Sequence, residues 1–417
     1  MLFALILGVP CALAHYYLWR RLVRDTSRPG GRGRLFGTAA LVVAFAVMLA
    51  ALVLSRSASP EVARFVAWPG YLWLAAMFYL TLLLGVLEIP RLVLNRRARG
   101  AAPVRAGEPV AVGTSGAAIA AEEPDQRTPE VPRERDAVRI DTGRRLFIAR
   151  SLAVAGGVAA GSVVGYGATR ALGTPDLRRV PVVLNKLDPS LSGFRVAVVS
   201  DIHLGPLLGR SHTERIVRMI NEQQPDLVAI VGDLVDGSVD ELGEAAAPLR
   251  DLVSPYGSFF VTGNHEYFSG AEPWLSELER LGVNPLRNER LAIERGGAGF
   301  DLAGINDVTG RNYDDAPDLD RALDGRDDSR PVVLMAHQPV QVADAARRGV
   351  DLQLSGHTHG GQMFPFSLAV PVQQPVVAGL ATVDGTQVYV SRGAGFWGPP
   401  VRVGAPPDIS VIELRSS

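Results

Sequence analysis

The sequence predicts an all-α transmembrane region followed by an α/β domain. Three observations carry this reading. Apolar runs of membrane-crossing length are confined to roughly the first 170 residues. From residue 180 onward, short β-rich runs alternate with amphipathic stretches. Acids and histidines then collect at the ends of those β-rich runs.

The chain has 417 residues, enough for two or three units. Its formal net charge of -1 leaves no global basic field, which argues against a nucleic-acid partner. The mean hydropathy of +0.15 is high for a soluble protein. Cys11 is the single cysteine, so no internal disulfide can form; it reads as an inert thiol in a membrane helix.

Residues 1–97 are expected to hold three transmembrane helices, over residues 2–19, 35–54 and 65–87. Tyr16, Tyr17 and Trp19 form an interfacial belt, and His15 beside them reads as structural. Arg20, Arg21, Arg24, Arg28, Arg32 and Arg34 crowd the first loop, and Arg91, Arg96, Arg97 and Arg99 follow the third span. The positive-inside rule puts these arginines in the cytoplasm and the N-terminus outside.

Residues 98–143, rich in Ala, Pro, Gly and charge without apolar period, are expected to be a disordered cytoplasmic linker. Residues 144–172 follow as a fourth transmembrane helix or as a signal anchor, because Arg144 and Arg145 before Leu146, Phe147 and Ile148 resemble a twin-arginine export signal. Both readings give a multi-pass protein of the cytoplasmic membrane with residues 178–417 on the extracytoplasmic side.

In that domain, β-rich runs at residues 194–200, 227–231 and 258–262 are each followed by an amphipathic stretch, at 211–222, 241–252 and 273–281. Further runs fall at 300–305, 332–336, 350–354, 386–390 and 409–414. The alternation implies much parallel pairing, and ligands in such folds gather beyond the carboxyl ends of the strands.

The chemistry-bearing residues lie at such ends. The runs finish in Asp201-Ile202-His203, Gly232-Asp233, Gly263-Asn264-His265-Glu266, His337-Gln338-Pro339 and Gly356-His357-Thr358-His359. Singly, each is ordinary turn chemistry. Together they place five of seven histidines at strand ends, His203 and His265 within two residues of Asp or Asn, which core histidines have no reason to do. His357 and His359, two apart, would face one spot if their segment is extended. Carboxylates and neutral imidazoles in this mixture suit two divalent cations about 3.5–4 Å apart, clamping an in-line displacement at phosphorus.

The order Asp201-x-His203, Gly232-Asp233, Gly263-Asn264-His265-Glu266, His337, Gly356-His357-x-His359 resembles the calcineurin-like metallophosphoesterase superfamily. The words Ser200 to Gly205, Gly263 to Tyr267, Ser355 to Gln362 and Ser391 to Pro400 resemble its membrane-anchored bacterial branch more closely. The resemblance implies a four-layer α/β/β/α sandwich and a binuclear phosphoesterase. Asp201, His203 and His359 would hold one metal, Asn264, His337 and His357 the other, and Asp233 would bridge them. His265 would protonate the leaving oxygen, and Glu266, where many members carry Asp, would orient His265 or a ligand.

The metals implied are two divalent ions among manganese, iron, zinc and nickel. The substrate implied is a phosphodiester, phosphomonoester or pyrophosphate of a lipid or envelope compound, for example that of a UDP-diacylglucosamine-type pyrophosphatase. A non-catalytic membrane sensor that kept the fold is the competing reading; it fits poorly, because no ligand position is missing. Around the motif, His212 reads as a surface or helix-cap residue, and Asp236 and Asp307 as turn residues or, less readily, as supports of the metal ligands. Arg392 and Arg402 are candidates for the substrate phosphate. Phe396 and Trp397 read as an apolar lip or as core, and residues 365–380 as a membrane-facing loop.

Overall fold

The computed structural model describes residues 2–100 and 134–417, and the side chains of residues 8–93 and 143–417. The expected linker therefore lies, over residues 101–133, outside the described residues. The chain divides into two compact units: Met1–Val42 with Met77–Gly161, and Val43–Ala76 with Ser162–Ser417.

Four helices come first: α1 (Leu2–Leu18), α2 (Arg32–Ser57), α3 (Pro60–Gly100) and α4 (Glu134–Leu172). Among the described residues, three stretches are long and apolar enough to cross a membrane: Arg32–Ser57, Pro60–Val93 and Gly143–Leu172. The first expected span is the shortest, since α1 has 17 residues, the low end of a crossing. In the first unit, two of the loop arginines are paired. Arg21 meets Asp25 at 2.8 Å and Glu88 at 2.6 Å, while Arg91 meets Asp25 at 2.7 Å. His15 and Cys11 are both buried, and His15 Nδ1 lies 2.8 Å from the Cys11 carbonyl oxygen.

The second unit carries twelve strands in two sheets. In chain order they are β1 (Asp176–Leu184), β2 (Phe194–Val199), β3 (Leu227–Val231), β4 (Ser258–Val261), β5 (Val283–Pro285), β6 (Glu289–Arg295), β7 (Ala298–Gly304), β8 (Val332–Met335), β9 (Leu352–Ser355), β10 (Gly379–Val383), β11 (Thr386–Val390) and β12 (Asp408–Ser416). One sheet runs β1-β12-β2-β3-β4-β5 and the other β10-β11-β9-β8-β7-β6. The central strands β2 to β5 and β7-β8-β9-β11 are parallel. Antiparallel partners occur at β12–β2, β6–β7 and β10–β11. Between the strands lie α5 (Arg210–Glu222), α6 (Val239–Ala246), α7 (Asn264–Ser269), α8 (Ala271–Arg280), α9 (Leu319–Leu323) and α10 (Val342–Arg347).

Strand periodicity sorts the core into layers. Phe194, Val196 and Val198 of β2 face inward against Phe300 and Leu302 of β7 and Val333 and Met335 of β8. The alternate residues Ala197 and Val199, with Val228 and Ile230, turn outward onto Ile216, Ile220, Leu242, Trp274 and Leu278 of α5, α6 and α8. On the other sheet, Ala303, Val332 and Leu334 pack on Leu319, Ala322 and Ala345. Both faces of each central strand are covered, so these strands are apolar throughout, as parallel strands require. The result is the four-layer α/β/β/α sandwich.

Four strands were not expected: β1, β5, β6 and β10. β1 and β10 are sheet edges and β5 has three residues. β6 sets the charged pairs Glu289-Arg290 and Glu294-Arg295 at either end of Leu291-Ala292-Ile293. Edge strands bury little and need not read as apolar.

Candidate metal centre

All the motif residues lie just beyond the carboxyl ends of parallel strands: Asp201 and His203 after β2, Asp233 after β3, Asn264 and His265 at the start of α7 after β4, His337 after β8, and His357 and His359 after β9. The two central parallel runs thus deliver their loops to one place. Asp201, Asp233, His203, His337 and His359 are buried there.

The loops are held in costly backbone conformations. Asp201, His203, Asp233, His357 and His359 all have φ between 50 and 70°, the left-handed region that side chains other than Gly disfavour. Such residues cost about 1–3 kcal/mol each and cluster where surrounding structure fixes them for function. Gly232, at φ 83°, lets His337 approach: a Cβ there would lie 2.6 Å from His337 Nδ1.

Two donor sets form. Asp201, His203 and His359 make the first: His359 Nε2 is 3.4 Å from Asp201 Oδ1 and 3.0 Å from His203 Nε2. Asp233, His337 and His357 make the second, with His337 Nε2 3.2 Å from Asp233 Oδ2. That same oxygen is 3.9 Å from His203 Nε2, so the Asp233 carboxylate stands between the sets. Asn264 opens α7 beside them, and the Asp233 Oδ1 accepts the His265 N–H at 2.9 Å.

The expectation that His357 and His359 face one spot is corrected. β9 ends at Ser355, and both histidines sit beyond it at positive φ rather than in extended chain. Extended i, i+2 alternation no longer applies, and the two rings go to different sets.

The residues fit a pair of cations. Among the described residues, the buried Asn264 Oδ1 has no hydrogen-bond partner, and His337 Nε2 has none besides the Asp233 carboxylate at 3.2 Å. Buried polar atoms are nearly always paired, and an orphaned oxygen and imidazole nitrogen beside carboxylates are what a cation would satisfy. Burial, then the Arg402 charge, holds the His359 ring well below its ordinary pKa, so it stays a neutral donor.

Neighbours complete the arrangement, and several depart from expectation. Asp236 is not merely a turn residue: its Oδ1 is 2.5 Å from His265 Nδ1 and 3.2 Å from His203 Nδ1. It lies three residues after Asp233 on the same loop, and that spacing is the signal that would have found it. Burial disfavours charge on His265, but Asp233 and Asp236 outweigh it and raise its pKa to about 9. Glu266 reaches back to accept from the backbone N–H of Asp233, Leu234 and Gly263 at 3.0, 2.8 and 2.6 Å, holding the loop that bears Asp233.

Arg402 does not face a substrate. It is fully buried and donates to the carbonyls of His359 at 2.9 Å and Arg392 at 2.8 Å, with Nη2 2.9 Å from His359 Nδ1. Arg392 is engaged with Asp408 at 3.3 Å. His212 is buried in α5, not at the surface. Asp307 does act in a turn, accepting from the Thr309 N–H at 2.8 Å. Phe396 is core, beside Ala171 and Leu208, while Trp397 is part exposed with its ring 5.9 Å from that of His265.

Comparison with known proteins defines the class. Residues 194–361 match the family model described as calcineurin-like phosphoesterase. The chain belongs to this family, and it is a metal-dependent phosphoester hydrolase with a dimetal centre. Among its relatives, it is 41% identical over 259 residues to an uncharacterized metallophosphoesterase of Helicobacter pylori, covering 61% of this chain and 68% of that one. It is 39% identical over 295 residues to a transmembrane protein with metallophosphoesterase domain of Bos taurus, covering 67% and 65%. It is 30% identical over 275 residues to the uncharacterized metallophosphoesterase YkuE of Bacillus subtilis, covering 63% and 95%.

Proposed function

We propose that this protein is a multi-pass enzyme of the cytoplasmic membrane that hydrolyses a phosphodiester, phosphomonoester or pyrophosphate bond of a lipid or envelope compound on the extracytoplasmic side. The observation that carries the reading is the convergence of two Asp/His sets around Asp233. Asp201, His203 and His359 would hold one cation, Asn264, His337 and His357 the other, and Asp233 would serve both. When bound, the pair supplies positive charge against the phosphoryl oxygens and lowers the pKa of a water.

The chain's own part is positioning and proton transfer. His265 is within hydrogen-bond reach of Asp236, which orients its ring, and its raised pKa keeps it protonated at neutral pH. It therefore gives a proton to the departing oxygen as general acid. Membrane tethering supports a substrate at the bilayer: β1 begins at Asp176, directly after α4 ends at Leu172. The side follows from Arg144, Arg145 and Arg150 on α4, which the positive-inside rule leaves in the cytoplasm.

Purified full-length protein, stripped and refilled with manganese, is expected to hold two ions per chain and to hydrolyse a chromogenic diester, monoester or pyrophosphate. Protein that binds no manganese and turns over none of the three would sink the reading. Protease accessibility of residues 178–417 in intact cells and in spheroplasts tests the side; protection in both would reverse the topology.

A further inference from the structure

We propose that residues 363–372, with Trp397 beside them, form a membrane-inserting rim through which the site receives an amphiphilic phosphoester directly from the bilayer; this rests on the phosphoesterase reading above. No Asp, Glu, Lys or Arg occurs from Gly360 to Val383. Within this stretch Leu368 is 73% exposed and Val372 85%, and Trp397 is 44% exposed. Phe364 and Phe366 are each half exposed. Proteins surrounded by water seldom show so contiguous an apolar patch unless it meets something.

The fold indicates what it meets. A single short segment, residues 396–403, holds the rim on one hand and the membrane helices on the other. Toward the rim, Gln362 Nε2 donates to the carbonyls of Trp397 at 2.9 Å and Pro399 at 3.1 Å, and the Phe364 N–H donates to the Val403 carbonyl at 2.9 Å. Toward the helices, the Arg402 N–H donates to the Gly167 carbonyl of α4 at 2.9 Å. A Cβ on Gly167 would lie 2.9 Å from Val403 Cγ2, and one on Gly398 would lie 3.8 Å from Tyr71 Cε1 of α3. The apolar rim is thus tied to the same residues that pack on helices built to cross a bilayer. Acyl chains are the occupant continuous with those helices.

The rim is also next to the chemistry. It begins four residues after His359, and the Trp397 ring, amphipathic and suited to the lipid–water boundary, lies 5.9 Å from that of His265. An amphiphile with its chains among Leu368 and Val372 keeps its phosphoester beside the donor sets without leaving the membrane.

The test uses the full chain with Cys11→Ser, single cysteines introduced by Leu368→Cys, Val372→Cys or Glu294→Cys, and an environment-sensitive fluorophore on each. The proteins are reconstituted in phosphatidylcholine–phosphatidylglycerol vesicles with and without brominated acyl chains. Labels at 368 and 372 are expected to emit further to the blue and to be quenched by the brominated chains, and the label at 294 to do neither. Labels at 368 and 372 that behave like that at 294 overturn the proposal; so does a blue shift without quenching, which would mean that protein covers the patch. In a second arm, the double variant Leu368→Asp, Val372→Asp is compared with the parent on vesicle-borne hexadecyl nitrophenyl phosphate and on water-soluble methyl nitrophenyl phosphate. The long-chain to short-chain rate ratio should fall roughly tenfold, the scale of one buried aliphatic side chain; an unchanged ratio overturns the proposal. Methyl nitrophenyl phosphate hydrolysis by the parent protein reports the phosphoesterase reading by itself, so failure of that reading is distinguishable from failure of the rim.

Discussion

The Asp236 Oδ1 lies 2.5 Å from His265 Nδ1 and 3.2 Å from His203 Nδ1, so one carboxylate orients two imidazoles with different tasks. Partners of ligating histidines fix ring orientation and basicity, and losing one typically costs 10–100-fold in metal affinity or activity. Asp236→Asn is therefore expected to weaken manganese binding by about 10–100-fold and to lower turnover as well. Isothermal titration of stripped protein checks the first, and diester hydrolysis at saturating manganese the second. Unaltered affinity would leave Asp236 a turn residue after all.

His265 and Asp233 should separate cleanly. His265→Ala is expected to keep both ions while losing roughly 10²–10⁴-fold in turnover, the range of an acid–base group. Asp233→Asn is expected to lose metal and activity together, because its carboxylate lies between the two sets. Elemental analysis alongside kinetics reads both. Full metal content in Asp233→Asn would refute the bridging role.

Arg402 holds the loop from inside. Burial pushes its pKa down to about 10, leaving it charged at neutral pH while it donates to the carbonyls of His359, Arg392 and Gly395. Arg402→Met removes the donor to the Arg392 and Gly395 carbonyls, at about 1–3 kcal/mol for each group left unpaired, while the His359 carbonyl keeps the Gln362 N–H. The variant should unfold at lower temperature and bind less manganese in the set containing His359. Thermal unfolding of detergent-solubilised protein, stripped and loaded, is the measurement; equal midpoints to the parent in both states would contradict the role.

Glu266 accepts three backbone N–H groups, of which two enter β3's loop and one precedes α7. Glu266→Gln puts a donor where an acceptor is needed, leaving at least one N–H orphaned at a cost of about 1–3 kcal/mol. A lower unfolding midpoint is expected even in stripped protein, which would distinguish loop support from metal binding.

His212 should make stability fall in acid. Burial, then Arg215, lowers its pKa to about 4, and its Nε2 is buried without a hydrogen-bond partner among the described residues. The folded state keeps it neutral, whereas the unfolded chain protonates it near pH 6.5. Its contribution is thus complete above about pH 6.5 and is lost as pH falls toward 4, by up to roughly 3 kcal/mol. His212→Gln is expected to flatten the unfolding midpoint between those pH values relative to the parent; parallel curves would disprove it.

The α/β domain was legible because β2, β3, β4, β8 and β9 are covered on both faces, and a doubly buried strand can only be apolar. The edge strands β1 and β10 and the β6 hairpin escaped because they are half exposed: β1 opens on Asp176, Arg178 and Arg179, β6 is charged at both ends, and β10 mixes Gly379 and Thr382 into five residues. The seven motif residues and His265 were legible because each follows a strand, where the chain turns and side chains are free to serve chemistry. The tasks of Arg402 and His212 were not, since what distinguishes them is whom they touch; Asp236 was marked by its spacing from Asp233 but not by its partners.

The sequence by itself determined the apolar helices, the order of strands and the cast of acids and imidazoles, all of which are local properties of composition and spacing. Only the tertiary structure decided that Asp236 reaches both His203 and His265, and that Arg402 sits beneath His359. Those relations join residues 29, 33 and 43 positions apart. The packing of two sheets fixes such distances, and no local pattern encodes them.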